Sequence, residues 1–156
     1  MVQFFILPAL NLVESLVDTF RDGVTPVSGS IVYCDLAFGY AEHSGIYLVN
    51  GRIAHLNGQD LIESVDQEEF LDGITGVSIL VSSRDTNAVG NKFVADRARA
   101  MLGQRRSYNL ILDNCHQFAA GCLTGDFNNA NNFLWMLKHE ASNKLRVNTW
   151  REWRQD

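Results

Sequence analysis

The segment His43-Ser44-Gly45-Ile46-Tyr47-Leu48-Val49-Asn50-Gly51-Arg52-Ile53-Ala54-His55-Leu56 constrains this chain more than any other. Two runs rich in β-branched and aromatic residues, His43 to Leu48 and Arg52 to Leu56, flank Asn-Gly, a strong short-range sign of a β-hairpin. The loop length fixes which side chains share a face, since a slip of one residue turns every side chain over. A two-residue turn, Asn50-Gly51, would pair Val49 with Arg52 and Ile46 with His55, sending His43 and His55 to opposite faces. A three-residue loop, Val49-Asn50-Gly51 with Gly51 in the left-handed position of a bulge, pairs Leu48 with Arg52 and Gly45 with His55. His43 then lies diagonally beside His55, roughly 7–8 Å between backbones, within reach of two imidazoles. The three-residue loop is the expectation, because Gly51 suits a positive φ and Gly45 leaves open space across from His55.

Around this hairpin the pattern is that of one domain. A chain of 156 residues with 46% hydrophobic and 20% charged residues has a normal globular composition and can bury a single core. Leu10, Val13, Leu16, Val17 and Phe20 recur at helical spacing, predicting an amphipathic helix over 9–22 that Gly23 and Pro26 stop. Ile31 to Leu36 and Val77 to Val81 read as strands, and Asn87 to Leu102 as a helix ended by Gly103. Asp113-Asn114 supplies cap residues before Cys115 to Cys122, with Gly125 as the stop, so Cys115 opens a helix. The segment 126–156, with Trp135, Trp150 and Trp153, reads as a partly helical tail whose tryptophans serve packing or dimer contacts. A catalytic core over 28–125 thus stands between an N-terminal helical extension, 1–27, and that tail.

Charge and composition narrow the partners. A net charge of −5 argues against nucleic acid, which calls for a clustered basic face. No run reaches the ~18 apolar residues of a membrane span, and the apolar stretch Phe4 to Leu10 lacks the flanks of a signal peptide. A cytoplasmic protein without an integral membrane segment is expected. The three cysteines read as free thiols of a reducing compartment, with Cys34 and Cys122 buried. Cys115 and Cys122 would lie about 10 Å apart along one helix, too far to bridge.

A thiol in the first turn of a helix meets unpaired backbone N–H groups and the positive end of the helix dipole, which favour the thiolate. The same N–H groups can stabilise an oxyanion when that thiolate attacks a carbonyl. A base must take the proton, and a third group commonly orients the base. His43 and His55 fit those two roles.

The block from Glu42 to Leu56, with a twelve-residue step between its histidines, resembles the histidine hairpin of the lecithin:retinol acyltransferase family. Arg97-Ala98-Arg99, Leu102-Gly103, Tyr108-Asn109-Leu110, Asn114-Cys115-His116-Gln117-Phe118 and Cys122 are similar to that family's nucleophile block, in the family's order. The resemblance, to a soluble member of bacterial type, implies an α+β fold: a circular permutation of NlpC-type papain-like enzymes, with the cysteine helix packed on an antiparallel sheet bearing the histidines. It implies Cys115 as nucleophile, His43 as base, His55 as the orienting residue, and Tyr108 and Asn114 as residues binding the substrate. It implies no cofactor. The chain departs from the family where Asn-Cys-Glu-His-Phe becomes Asn-Cys-His-Gln-Phe, and in lacking the C-terminal membrane helix of many animal members.

The expected activity is acyl transfer through a thioester, by a hydrolase or acyltransferase acting on an ester, amide or thioester. The substrate is a small-molecule, lipid or peptide acyl compound. One alternative is a zinc site of Cys115, His43 and His55 with His116 or Asp113 as a fourth ligand. Another is an interaction module that has lost activity. His116 itself reads as a surface neighbour of the nucleophile, and His139 as a solvated helix residue.

Overall fold

The computed structural model describes residues 22–35, 42–75, 77–107 and 114–154. Strands β1 (Ile31–Asp35), β2 (Glu42–Tyr47), β3 (Ile53–Leu56), β4 (Ile62–Val65), β5 (Leu80–Arg84), β6 (Asn87–Ala88) and β7 (Thr149–Glu152) form one antiparallel sheet. Their order is β4-β3-β2-β1-β5-β6, with β7 also on β5. Four helices join them among the described residues: α1 (Gln67–Phe70), α2 (Lys92–Met101), α3 (Cys115–Thr124) and α4 (Leu134–Leu145). This is an α+β fold with an antiparallel sheet. The helix expected over 9–22 falls almost wholly outside the described residues.

The hairpin has the expected register but reaches it by another device. Ile46 pairs with Ala54 and Tyr47 with Ile53, which carries Gly45 opposite His55. Asn50 and Gly51 both have positive φ, 53° and 74°, and the Arg52 N–H donates to the Val49 carbonyl at 3.0 Å. That is a two-residue primed turn, the kind that alone would separate the histidines. One step further the Leu48 N–H donates to the Arg52 carbonyl at 2.8 Å, so Leu48 and Val49 together face Arg52. This β-bulge restores the register that puts His43 and His55 on one face.

Alternation along the strands gives the sheet two buried faces. Ile31, Tyr33, Ile46, Ala54 and Leu56 point into a core completed by residues of α2, α3, α4 and Trp150. Val32, Cys34, Ile53, Val65 and Val81 point into a second core with Phe70, Ile79, Val24 and Trp153. Helix α3 lies on β2 between α2 and α4. Its cap is complete: the Asn114 side chain accepts from the N–H groups of His116 and Gln117, and Gly125 ends the helix at φ 83°. Arg97 donates to the carbonyls of Cys122 and Leu123 at 2.9 and 3.1 Å, fastening the C-terminal end of α3 to α2.

Several expectations need correction. The helix predicted over 87–102 begins at Lys92, because Asn91 caps it by accepting from the Phe93 N–H, while Asn87 and Ala88 turn back along β5. The strand predicted over 77–81 runs instead from Leu80 to Arg84, held in place by β1 and β7. The tail contributes a strand as well as a helix, and it lies in the body of the fold. Trp150 and Trp153 are buried in the two cores, whereas Trp135 is exposed.

Gly45 does not face open space. A Cβ there would lie 2.7 Å from the Ala54 oxygen and from Ile53 Cγ2, and 3.1 Å from Phe70 Cε2. Gly51 has nothing within 4 Å of such an atom, only its positive φ. Gly45→Val is therefore expected to lower unfolding stability by about 1–3 kcal/mol through overpacking. Gly51→Ala should lose about 1–2 kcal/mol through backbone strain alone. Urea unfolding of both variants, with activity measured on the surviving fold, checks this.

Candidate active site

On the face of the sheet away from α3, His43 Nε2 and His55 Nδ1 are 2.5 Å apart, with ring centroids at 4.8 Å and ring planes at 78°. Phe70 packs on both rings, at 4.7 Å from His43 and 5.8 Å from His55. The short helix α1 delivers that ring, and a reciprocal capping box between Asp66 and Glu69 holds the helix. Directly across β3 and β4, His55 pairs with Glu63. His55 Nε2 lies 3.3 Å from Glu63 Oε1, which also accepts from Asn57 Nδ2 at 2.7 Å.

These contacts dictate the tautomers. A carboxylate only accepts, so His55 carries its proton on Nε2 and turns an unprotonated Nδ1 toward His43. His43 then donates from Nε2, so in the neutral ring the bare nitrogen is Nδ1, the form a general base requires. Burial pulls the His55 imidazole down and the charge of His43 adds to the fall. Glu63 opposes both, with a net value of about 4. His55 is thus a neutral link at neutral pH.

Cys115 opens α3 and is 2% exposed. Its Sγ lies 3.9 Å from the Glu42 carbonyl oxygen, which sets the thiol at the start of β2, where groups from both faces of the sheet act on it. Sγ is also 3.9 Å from His116 Nδ1. His116 is buried, with Nδ1 2.8 Å from Ser44 Oγ and Nε2 3.8 Å from Glu42 Oε2. Burial opposes the thiolate. The charge of His116, then that of His43, and hydrogen bonds from both imidazoles outweigh it and hold the thiol well below its ordinary range. Burial likewise presses His116 down, but Cys115 and Glu42 push it up to about 10. Burial pushes the Cys122 thiol up, so that it stays protonated.

Of the residues singled out in the sequence, the structure brings Cys115, His43 and His55 into one neighbourhood. Tyr108 lies outside the described residues. The Asn114 side chain is engaged within the fold, accepting from two first-turn N–H groups at 3.0 Å each and donating to the Asn132 carbonyl at 2.7 Å. Those two N–H groups are therefore not open to an oxyanion, and in the first turn only the N–H of Cys115 itself is left outside the Asn114 cap. His116, read from sequence as a surface neighbour, is a buried partner of the thiol. His139 is exposed. Among the described residues no three His, Cys, Asp or Glu side chains converge on a metal position.

Sequence reasoning missed Glu42, Ser44, Asn57, Glu63 and Phe70. The signal for Glu63 was available: a second hairpin from β3 through Asn57-Gly58 to Ile62-Glu63-Ser64-Val65 places it opposite His55. Beside the histidine pair a cavity of about 530 Å³ is lined by His43, His55, Leu56, Asn57, Gly58, Gln59, Glu63, Glu69, Phe70 and Asp72. Cys115 is not in its wall, so this cavity adjoins the relay and not the thiol.

The model of the lecithin retinol acyltransferase family matches residues 25–128, two thirds of the chain. The chain belongs to that family. No curated protein matches it. The matched span contains β1 to β6 and α1 to α3, and so every residue of the two polar chains that meet near the thiol. The family segment Arg97-Ala98-Arg99 has a structural reason here, since Arg97 anchors the helix that carries Cys115. Among the described residues no helix is long and apolar enough to cross a membrane.

The depressed His55 value makes stability depend on pH. Its folded value lies below its ordinary one, so protonation as pH falls from 6.5 toward 4 favours the unfolded chain. The stabilisation is complete above the upper value and is lost on the way down, by on the order of 3 kcal/mol. His55→Gln is expected to flatten this part of the curve. Denaturant unfolding of wild type and variant across that range provides the comparison, and parallel curves would contradict it.

Proposed function

We propose that the chain is a cysteine-dependent acyl-transfer enzyme, a hydrolase or acyltransferase. Cys115 attacks the carbonyl of an ester, amide or thioester substrate, the bond from the carbonyl carbon to the leaving group breaks, that group departs as an alcohol, amine or thiol with the proton Cys115 gave up, and a thioester acyl-enzyme forms. Water or an acceptor nucleophile, deprotonated by His43, then attacks the thioester and returns the thiolate. His55 orients His43, and Glu63 fixes the tautomer of His55. The observation that carries this reading is the contrast between the thiols: Cys115 at the mouth of α3 is held low beside two imidazoles, while Cys122 on the same helix is pushed up.

The order of the elements supports a permuted papain-like arrangement, with the histidine strands β2 and β3 before the cysteine helix α3. The N–H of Cys115 is the first-turn donor in place to meet the developing oxyanion. The substrate belongs to the small-molecule, lipid or peptide acyl compounds.

An activated, thiol-directed acyl probe tests the assignment. Wild type should label at Cys115 ahead of Cys34 and Cys122, and Cys115→Ala should abolish this labelling. His43→Ala should slow turnover of an activated ester about 10²–10⁴-fold, the usual contribution of a general base. Equal labelling of the three cysteines, with His43→Ala unchanged, would refute it.

A further inference from the structure

The thiol has two imidazoles to choose from, and their surroundings differ. His43 touches His55, a neutral ring, and meets a carboxylate only through it. Both rings reach the thiol, but His116 acts on it more strongly, with Nδ1 3.9 Å from Sγ, and has a carboxylate of its own, Glu42 Oε2 at 3.8 Å. Glu42 is itself 12% exposed, and its Oε1 is buried without a hydrogen-bond partner among the described residues. A carboxylate so placed requires a compensating cation, and a neutral His116 would leave it uncompensated. Ser44 serves either state of the ring, its hydroxyl donating to an unprotonated Nδ1 or accepting from a protonated one. The dipole of α3 disfavours a cation in its first turn, but it favours the two anions on either side of that cation.

We propose that in the resting enzyme the proton of Cys115 sits on His116, which holds the thiolate with Glu42 behind it. His43 is thereby kept free of that proton for the water or acceptor that removes the acyl group. The proton moves from Sγ to His116 Nδ1 and no other bond changes. The inference rests on Cys115 being the nucleophile. It divides the work between the two faces of the sheet, with activation of the thiol on the α3 face and deprotonation of the acceptor on the Phe70 face. The replacement of the family's Asn-Cys-Glu-His-Phe by Asn-Cys-His-Gln-Phe then moves the block's imidazole from position 117 to position 116, next to the thiol. The titratable groups acting on the pair are Glu42 from β2, His43 from β2 and, through the thiol, His55 from β3.

The rate of Cys115 alkylation by iodoacetamide, followed against pH by mass spectrometry, reads the thiol directly. His116→Asn, which keeps a polar atom for Ser44, should raise the midpoint by about one pH unit or more, a tenfold change in the thiolate equilibrium. Glu42→Gln should raise it by less. His43→Asn should raise the midpoint by less than His116→Asn does, because His116 acts on the thiol more strongly than His43, while turnover of an activated ester falls. If His43→Asn raises the midpoint as much as His116→Asn or more, the inference is overturned while the acyl-transfer reading stands. If Cys115 in wild type alkylates no faster than Cys34 and Cys122 at any pH, the reading itself falls. Ring ¹⁵N shifts in the wild-type protein need no variant: an imidazolium at His116 and a bare Nδ1 at His43 at neutral pH are expected, and a neutral His116 overturns the proposal.

Discussion

The bulge at Leu48 and Val49 is the constraint on which the site depends. The Asn50-Gly51 turn alone would pair Val49 with Arg52 and set the two histidines on opposite faces of the sheet. Placing Leu48 and Val49 together against Arg52 brings His43 Nε2 to 2.5 Å from His55 Nδ1. That same register leaves Gly45 under Phe70, and Phe70 then closes over both imidazoles. The closure removes water from His55, which is why its proton is lost so readily and why it can serve as a neutral link. One residue of slack in a surface hairpin thus sets the tautomer of a buried ring.

The thiol sits at the start of β2, and a strand's end is the one place where both faces of a sheet can act on the same atom. Along β2, Glu42 and Ser44 point toward α3 while His43 and Gly45 point away. Two polar chains consequently converge on Sγ: Glu63, His55 and His43 from one side, and Glu42, Ser44 and His116 from the other. The helix supplies the third element, with Asn114 holding the first turn so that Cys115 and His116 have fixed positions relative to the strand. Arg97 does the same for the far end of the helix.

Much of this was legible in the sequence, and the rest was hidden for physical reasons. Asn50-Gly51 and the spacing of His43 and His55 disclosed the hairpin and its register, although not the bulge, because a primed turn plus a bulge and a three-residue loop align the same residues. The cap at Asn114 and the stop at Gly125 delimited α3. Strand β4 is only four residues long and carries Glu63 and Ser64 in its middle, too brief to show a pattern, and Glu63 went unnoticed with it. The tail was read as only partly helical, and its strand was missed because Trp150 in β7 and Trp153 just after it are buried in different cores, leaving no alternation to detect. His116 was misjudged because its partners, Ser44 and Glu42, lie more than seventy residues away in the chain.

The 2% exposure of Cys115 has a consequence for the lifetime of the thiol. A thiolate is the form of cysteine that peroxide oxidises, first reversibly to the sulfenic acid and then beyond repair. A thiolate at the surface would face that chemistry continually. Walled in by Glu42, His116 and the first turn of α3, this one is shielded from an oxidant arriving from bulk water. Burial of this thiol is therefore protection against oxidative damage as much as a setting for its chemistry.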